Sequence, residues 1–210
     1  MSDSINLISR VLHVDKSEIV YDFKTFDAAD WPHVRNQPGW EITPEAIIGK
    51  IPVDAPFRHG QIFYKNPIAG DIIMEFDAEL VPPSNHDLVW CWSTVFADDP
   101  LQDYGYVGCL GGWWGNYAGV EKAPTNMPKA ISPACDIVPG KSYHIVSGTI
   151  GNLIFIAVDG RMVTYMGDPE VPSQDTPGYF GFGLYQSHAI YRNLKIRRPF
   201  CTKLAPAYTI

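Results

Sequence analysis

Three carboxylates recur at every second position in Glu75-Phe76-Asp77-Ala78-Glu79. Paired carboxyl groups can divide the acid, base and nucleophile roles of glycoside chemistry, and retention needs them about 5–5.5 Å apart. In this row Glu75 and Asp77 are the acid/base candidates, with Glu79 third. The same spacing also describes a solvated strand face that does no chemistry. Residues i and i+4 of a flat strand stand roughly 13 Å apart at the backbone, so the long Glu side chains would have to lean towards Asp77 to work together.

The element that must position the row is Asp71 to Phe96, which reads as two strands around a loop. Met74, Phe76, Ala78 and Leu80 alternate with the acids, the period-two pattern of a half-buried strand. Trp90 and Trp92 repeat the alternation in the second strand, and Pro82 and Pro83 break the chain between them. If the two strands pair as a hairpin, its register decides whether the tryptophans join Phe76 in the core or join the acids outside. A one-residue slip reverses the answer. In the second case Trp92 is a substrate-stacking candidate.

A second group of candidates sits in the Gly- and aromatic-rich segment 97–124, where at most one or two short strands are expected. Trp113 and Trp114 are adjacent and would face opposite ways in a strand. Gly111, Gly112 and Gly115 would let backbone approach a ligand. With Asn116 and Tyr117 they read as a binding loop, or as a purely structural aromatic one. Tyr185, Gln186, His188 and Arg192 form a third group near the last two strands. His188 could act as a base and Arg192 could contact an acidic sugar, but a turn histidine and a surface arginine also fit. Asp98, Asp99 and Asp103 could supply oxygen ligands to a structural Ca2+ but form no defined loop signature, and no cofactor is required by any motif. His144 reads as structural.

The chain has 210 residues and a net charge of -7, with 46% hydrophobic and 13% aromatic residues. That suits one domain, residues 1–210, with a normal core. The negative balance argues against a nucleic-acid partner, because phosphate neutralisation needs clustered cations. The start of the chain shows no basic, apolar leader pattern, and no run of about 20 apolar residues could span a membrane. A cytoplasmic location is therefore expected. Cys91, Cys109, Cys135 and Cys201 are widely spaced and read as reduced thiols. Residues 1–17 are expected to form an N-terminal arm or a short helix, with packing or dimer formation as its role. Walker, GxGxxG, HExxH and GxSxG motifs are lacking.

From Ser142 onward the pattern is clean: two strands joined at Gly151-Asn152, a tight turn at Asp159-Gly160, then Gly178–Tyr185 and Ala189–Arg198. About a dozen short strands and almost no helix predict an all-β antiparallel sandwich. The order HIVSGTIGNLIFIAVDGRMV, loop, GYFGFGLYQSHAIYRNLKIRR resembles the end of concanavalin A-like lectin/glucanase jelly rolls. Within that superfamily the likeness is nearest to the YesU-like proteins of carbohydrate-utilisation loci, from Gly178 to Ile196 and more loosely from Asp71 to Ala97.

The resemblance implies a jelly roll of two antiparallel sheets whose concave face holds a carbohydrate. It also makes Glu75, Asp77 and Glu79 match, letter by letter, the ExDxE signature of its retaining glucanases. There the first Glu is the nucleophile and the last the acid/base. The strand order disagrees, since here the acids precede the aromatic strand instead of following it. Three readings stay open: a glycoside hydrolase- or lyase-like enzyme, a non-catalytic glycan-binding module, and a structural sandwich without ligand.

Overall fold

A computed structural model describes residues 4–36, 39–52, 54–112, 117–124, 128–133, 136–172 and 175–204. Almost every element is a strand, and all the pairings are antiparallel. One sheet has the order β12 (Pro128–Ser132), β11 (Tyr117–Ala123), β10 (Tyr104–Gly112), β9 (Leu88–Val95), β16 (Tyr179–Tyr185), β7 (His59–Phe63), β4 (His33–Arg35). The opposing sheet runs β15 (Arg161–Gly167), β14 (Leu153–Val158), β13 (Ser142–Ile150), β8 (Ile73–Leu80), β17 (His188–Arg198), β6 (Ala46–Lys50), β5 (Trp40–Thr43). Strand β3 (Glu18–Asp22) adds to it through β17, making eight strands.

The core lies between these sheets. Strand β8 sends Met74, Phe76, Ala78 and Leu80 inward, and β9 answers with Leu88, Trp90 and Trp92. The acid-bearing and tryptophan-bearing strands are thus not a hairpin: they sit in opposed sheets, and the ring of Phe76 meets Trp90 edge-on at 5.5 Å. Both indoles are fully buried, so each needs a partner for its N–H. Trp90 donates to the Ser147 hydroxyl at 2.8 Å and Trp92 to the Thr149 hydroxyl at 3.0 Å, both on β13. Room for the Trp90 ring comes from Gly108, where a Cβ would lie 2.4 Å from a ring carbon.

A third layer replaces the expected arm or helix. Strands β1 (Ser4–Asn6), β2 (Arg10–His13) and β18 (Cys201–Lys203) form a small sheet. Its Ile5, Leu7, Leu12 and Val14 cluster with Ile73, Val146 and Phe155 on the outer side of the eight-stranded sheet. The apolar positions 5, 8 and 12 fit a helix only loosely; burial of Ile5 and Leu12 with Ile8 exposed is the strand outcome. The segment 97–124 likewise holds two long strands, β10 and β11, where short ones were expected. Among the described residues, no helix is long and apolar enough to cross a membrane.

Candidate functional site

The outer face of the seven-stranded sheet carries a cleft of about 1120 Å³. Its floor follows from the register. Cys109 pairs with Val89, Val89 with Gly183 and Gly183 with Gln61, while Val107 pairs with Glu121 on one side and Cys91 on the other. These residues share outward parity, because Trp90, Tyr106, Leu110 and Phe182 between them point into the core. The floor is low because its side chains are small. A Cβ on Gly183 would stand 2.7 Å from a Val89 methyl.

The walls are polar and aromatic. Gln61 donates to the Cys91 sulfur at 3.3 Å. Tyr185, more than a third exposed, has its ring 5.8 Å from that of His86. A smaller hollow of about 60 Å³ shares His59, Gln61 and Val107 with the cleft and carries it on towards Asn36 and Leu101. Asp87 stands at the wall with 7% of its surface exposed. Its Oδ2 takes a long contact, 3.6 Å, from the Cys109 thiol, and its Oδ1 has no hydrogen-bond partner. Burial pushes its carboxyl up to about 7; the Cys109 thiol and the amides of Asp87 and Tyr185 offset part of this, and Glu121 adds to it. The thiol of Cys109 is in turn raised by burial and by Asp87.

The residues singled out in the sequence divide between this cleft and the rest of the surface. Tyr185 lines the cleft, and Tyr117 shares the outward parity of Glu121 on β11. Trp113, Trp114 and Asn116 lie outside the described residues. Trp92 is a correction: it is a core residue bonded across the sandwich, with no surface to offer a sugar. Gln186 turns the chain at φ 48° and donates its amide to Arg58. His188 stands at the start of β17 beside Lys50, on the other sheet, and burial followed by the Lys50 charge lowers its pKa.

The acid row also belongs to the other sheet. Glu75, Asp77 and Glu79 lie on the outer side of β8, away from the cleft. A bulge in β17 between Arg192 and Lys195, with Asn193 at φ 55°, sets a row of donors beside them. Glu75 receives Arg197 at 2.7 Å, Asp77 receives His144 at 2.8 Å and Asn193 at 2.6 Å, and Glu79 receives Arg192 at 3.2 Å. The His144 hydrogen bond holds Asp77 below the usual carboxylate range, and the same bond raises His144. A carboxylate held by two donors is stabilised as an anion and is a poorer base. Two of the three proposed calcium ligands are likewise engaged: Arg35 holds both oxygens of Asp103 at 2.6 and 2.9 Å, and Asp99 caps a short 3-10 helix. Among the described residues no group of three or more His, Cys, Asp or Glu side chains could hold a metal ion.

Asp87, Gln61, His59, His86 and Glu121 escaped the sequence reading. Only the order of strands in the sheet places Asp87 and Glu121 on one cleft.

No family model matches the chain, and no curated protein matches it significantly. Solved structures do. The carbohydrate-binding module CBM66 from Bacillus subtilis aligns with a TM-score of 0.62 at 18% identity, over 80% of this chain and 95% of that one. A Bacillus subtilis protein of unknown function with a galectin-like fold gives 0.64 at 12% identity, over 88% and 98%. The exoplasmic/lumenal domain of VIP36, bound to Ca2+ and Man2, gives 0.62 at 14% identity, over 93% and 92%. At these identities the likeness establishes the fold alone, a jelly-roll sandwich of antiparallel sheets.

Proposed function

We propose that the protein binds an oligosaccharide in the cleft of the seven-stranded sheet. One observation carries the reading: a long hollow with a floor of small side chains, walled by polar groups and by Tyr185. Sugars offer hydroxyls to such polar groups and CH faces to an aromatic ring, and Gln61, Asp87, Glu121 and Tyr185 supply both kinds of contact. At about 1120 Å³ the hollow exceeds the roughly 300–1,000 Å³ of typical small-molecule pockets, which favours several sugar units over one. The lectin and carbohydrate-binding neighbours support the choice of ligand, and the likeness to YesU-like proteins from Gly178 to Ile196 is part of the same proposal.

The non-catalytic form is preferred. Asp87 and Glu121 are the acids that line the cleft, and the row Glu75, Asp77 and Glu79 lies on the other sheet with each member held by a donor. A glycan array tests the reading, followed by calorimetry on its best ligands. Tyr185→Ala should weaken binding about tenfold, the effect of losing roughly 1.4 kcal/mol. An array without signal, or affinity untouched in Tyr185→Ala, would count against the cleft as the site.

A further inference from the structure

The cleft has a one-signed charge. Asp87 and Glu121 line it, and no Lys or Arg does among the described residues. The residues outside the description contain no Lys or Arg either. Two cations on neighbouring strands are held elsewhere: Arg35 is bound to Asp103, and Lys122 to Asp168. Asp87 is in addition a buried acid whose Oδ1 makes no full hydrogen bond, although the amides of Asp87 and Tyr185 lie near its carboxyl. Native proteins rarely leave such an atom orphaned, and a ligand is one of the few explanations. The titratable groups around Asp87 are Cys109 from β10, Glu121 from β11, Tyr185 from β16, Tyr191 from β17 and the adjacent His86. None brings a permanent positive charge.

Building on the glycan reading, we propose that the cleft takes an amine-bearing oligosaccharide, a polymer of 2-amino sugars with free amines, and seats an ammonium between Asp87 and Glu121. An ammonium offers donors to the Asp87 carboxyl and positive charge to the two acids that line the cleft. A uronate or sulfated sugar would set a negative charge beside Glu121 in a cleft that no described Lys or Arg lines, so acidic glycans are disfavoured. Binding also drives off the proton that burial keeps on Asp87, because a neighbouring cation favours the carboxylate.

The test is calorimetry on the full chain near neutral pH with three probes: a glucosamine hexamer, its fully N-acetylated counterpart, and cellohexaose. The glucosamine hexamer should bind about tenfold more tightly than the N-acetylated one, as a charge-assisted bond requires. The difference should shrink in about 1 M salt, where the Debye length is about 3 Å. Asp87→Asn should abolish the difference between the two ligands. Equal or tighter binding of the acetylated hexamer, or an advantage indifferent to salt, overturns the proposal; the salt series decides it even if Asp87→Asn does not fold. Binding of cellohexaose alone removes the amine and keeps the glycan site, whereas binding of no probe removes both.

Discussion

The hydroxyl of Tyr191 crosses the sandwich from β17 and bonds the floor of the cleft at Val89. It lies 2.9 Å from the carbonyls of Val89 and Gly183 and 3.2 Å from the Val89 amide. Strands β9 and β16 pair at this point, so one buried phenol props the joint between them. The ring is held by Phe182, stacked at 4.1 Å. Tyr191→Phe keeps the ring but removes the single O–H that the Val89 and Gly183 carbonyls share and the acceptor of the Val89 amide. An unsatisfied buried group costs about 1–3 kcal/mol. We expect a loss of that order in urea unfolding and weaker glycan binding with it, because Val89 and Gly183 floor the site. Unchanged stability would mean that the backbone groups find other partners.

Glu75 offers the converse case. It lies in the ion-pair face, and its partner Arg197 is buried, with a second bond to the Ser17 carbonyl. Removing one member of a buried pair leaves an uncompensated charge, at a cost of about 3–5 kcal/mol when fully buried. Glu75→Gln retains hydrogen bonding, so roughly half that loss is expected, with glycan affinity unchanged. A large drop in affinity with intact stability would restore a direct role for the acid row in ligand handling.

How much of this was legible beforehand follows from the kind of pattern involved. Alternation at Met74–Leu80 and at Tyr143–Ile150 reports burial on one face, so the strands and the sandwich class could be read. The partner of β8 could not, since adjacency along the chain suggested β9 and the structure supplies β13 and β17. Strand β10 was hidden because its Gly105 and Gly108 make room for Thr94 and Trp90, a tertiary demand that looks like a loop composition. The acid row was conspicuous in sequence because its members are consecutive on one strand. The cleft was not, because Gln61, Asp87, Glu121 and Tyr185 come from four separate parts of the chain.

The bond between His144 and Asp77 makes stability depend on pH in a defined window. His144 is raised in the folded state, so its contribution is complete below its ordinary value near 6.5 and is lost as pH rises through the raised value. Asp77 is lowered, so its contribution is complete above about 3.8 and is lost as pH falls through the lowered value. The pair therefore stabilises most between these two limits. His144→Gln should cost most inside that window and least well above it. Unfolding midpoints across pH, with the imidazole titration followed by NMR, check this; a cost independent of pH would show that the bond carries no ionic part.

Asp87 has the opposite sign. Its carboxyl titrates near 3.8 when unfolded and near 7 when folded. Between those values the folded chain keeps a proton that the unfolded chain has lost. Stability attributable to Asp87 therefore falls as pH rises through that interval, by up to about 1.4 kcal/mol per pH unit. Asp87→Asn removes this term. The variant should gain on the parent protein progressively from pH about 4 to about 7, and the gap should then stay level. Denaturant unfolding of both proteins along that series measures the gap directly, and other titrating groups cancel in the difference. A constant gap would place Asp87 in a wetter setting than its burial behind Cys109 implies. A gap that closes when glucosamine hexamer is added to the parent protein would tie the same carboxyl to the ligand, since a bound ammonium relieves the cost of its charge.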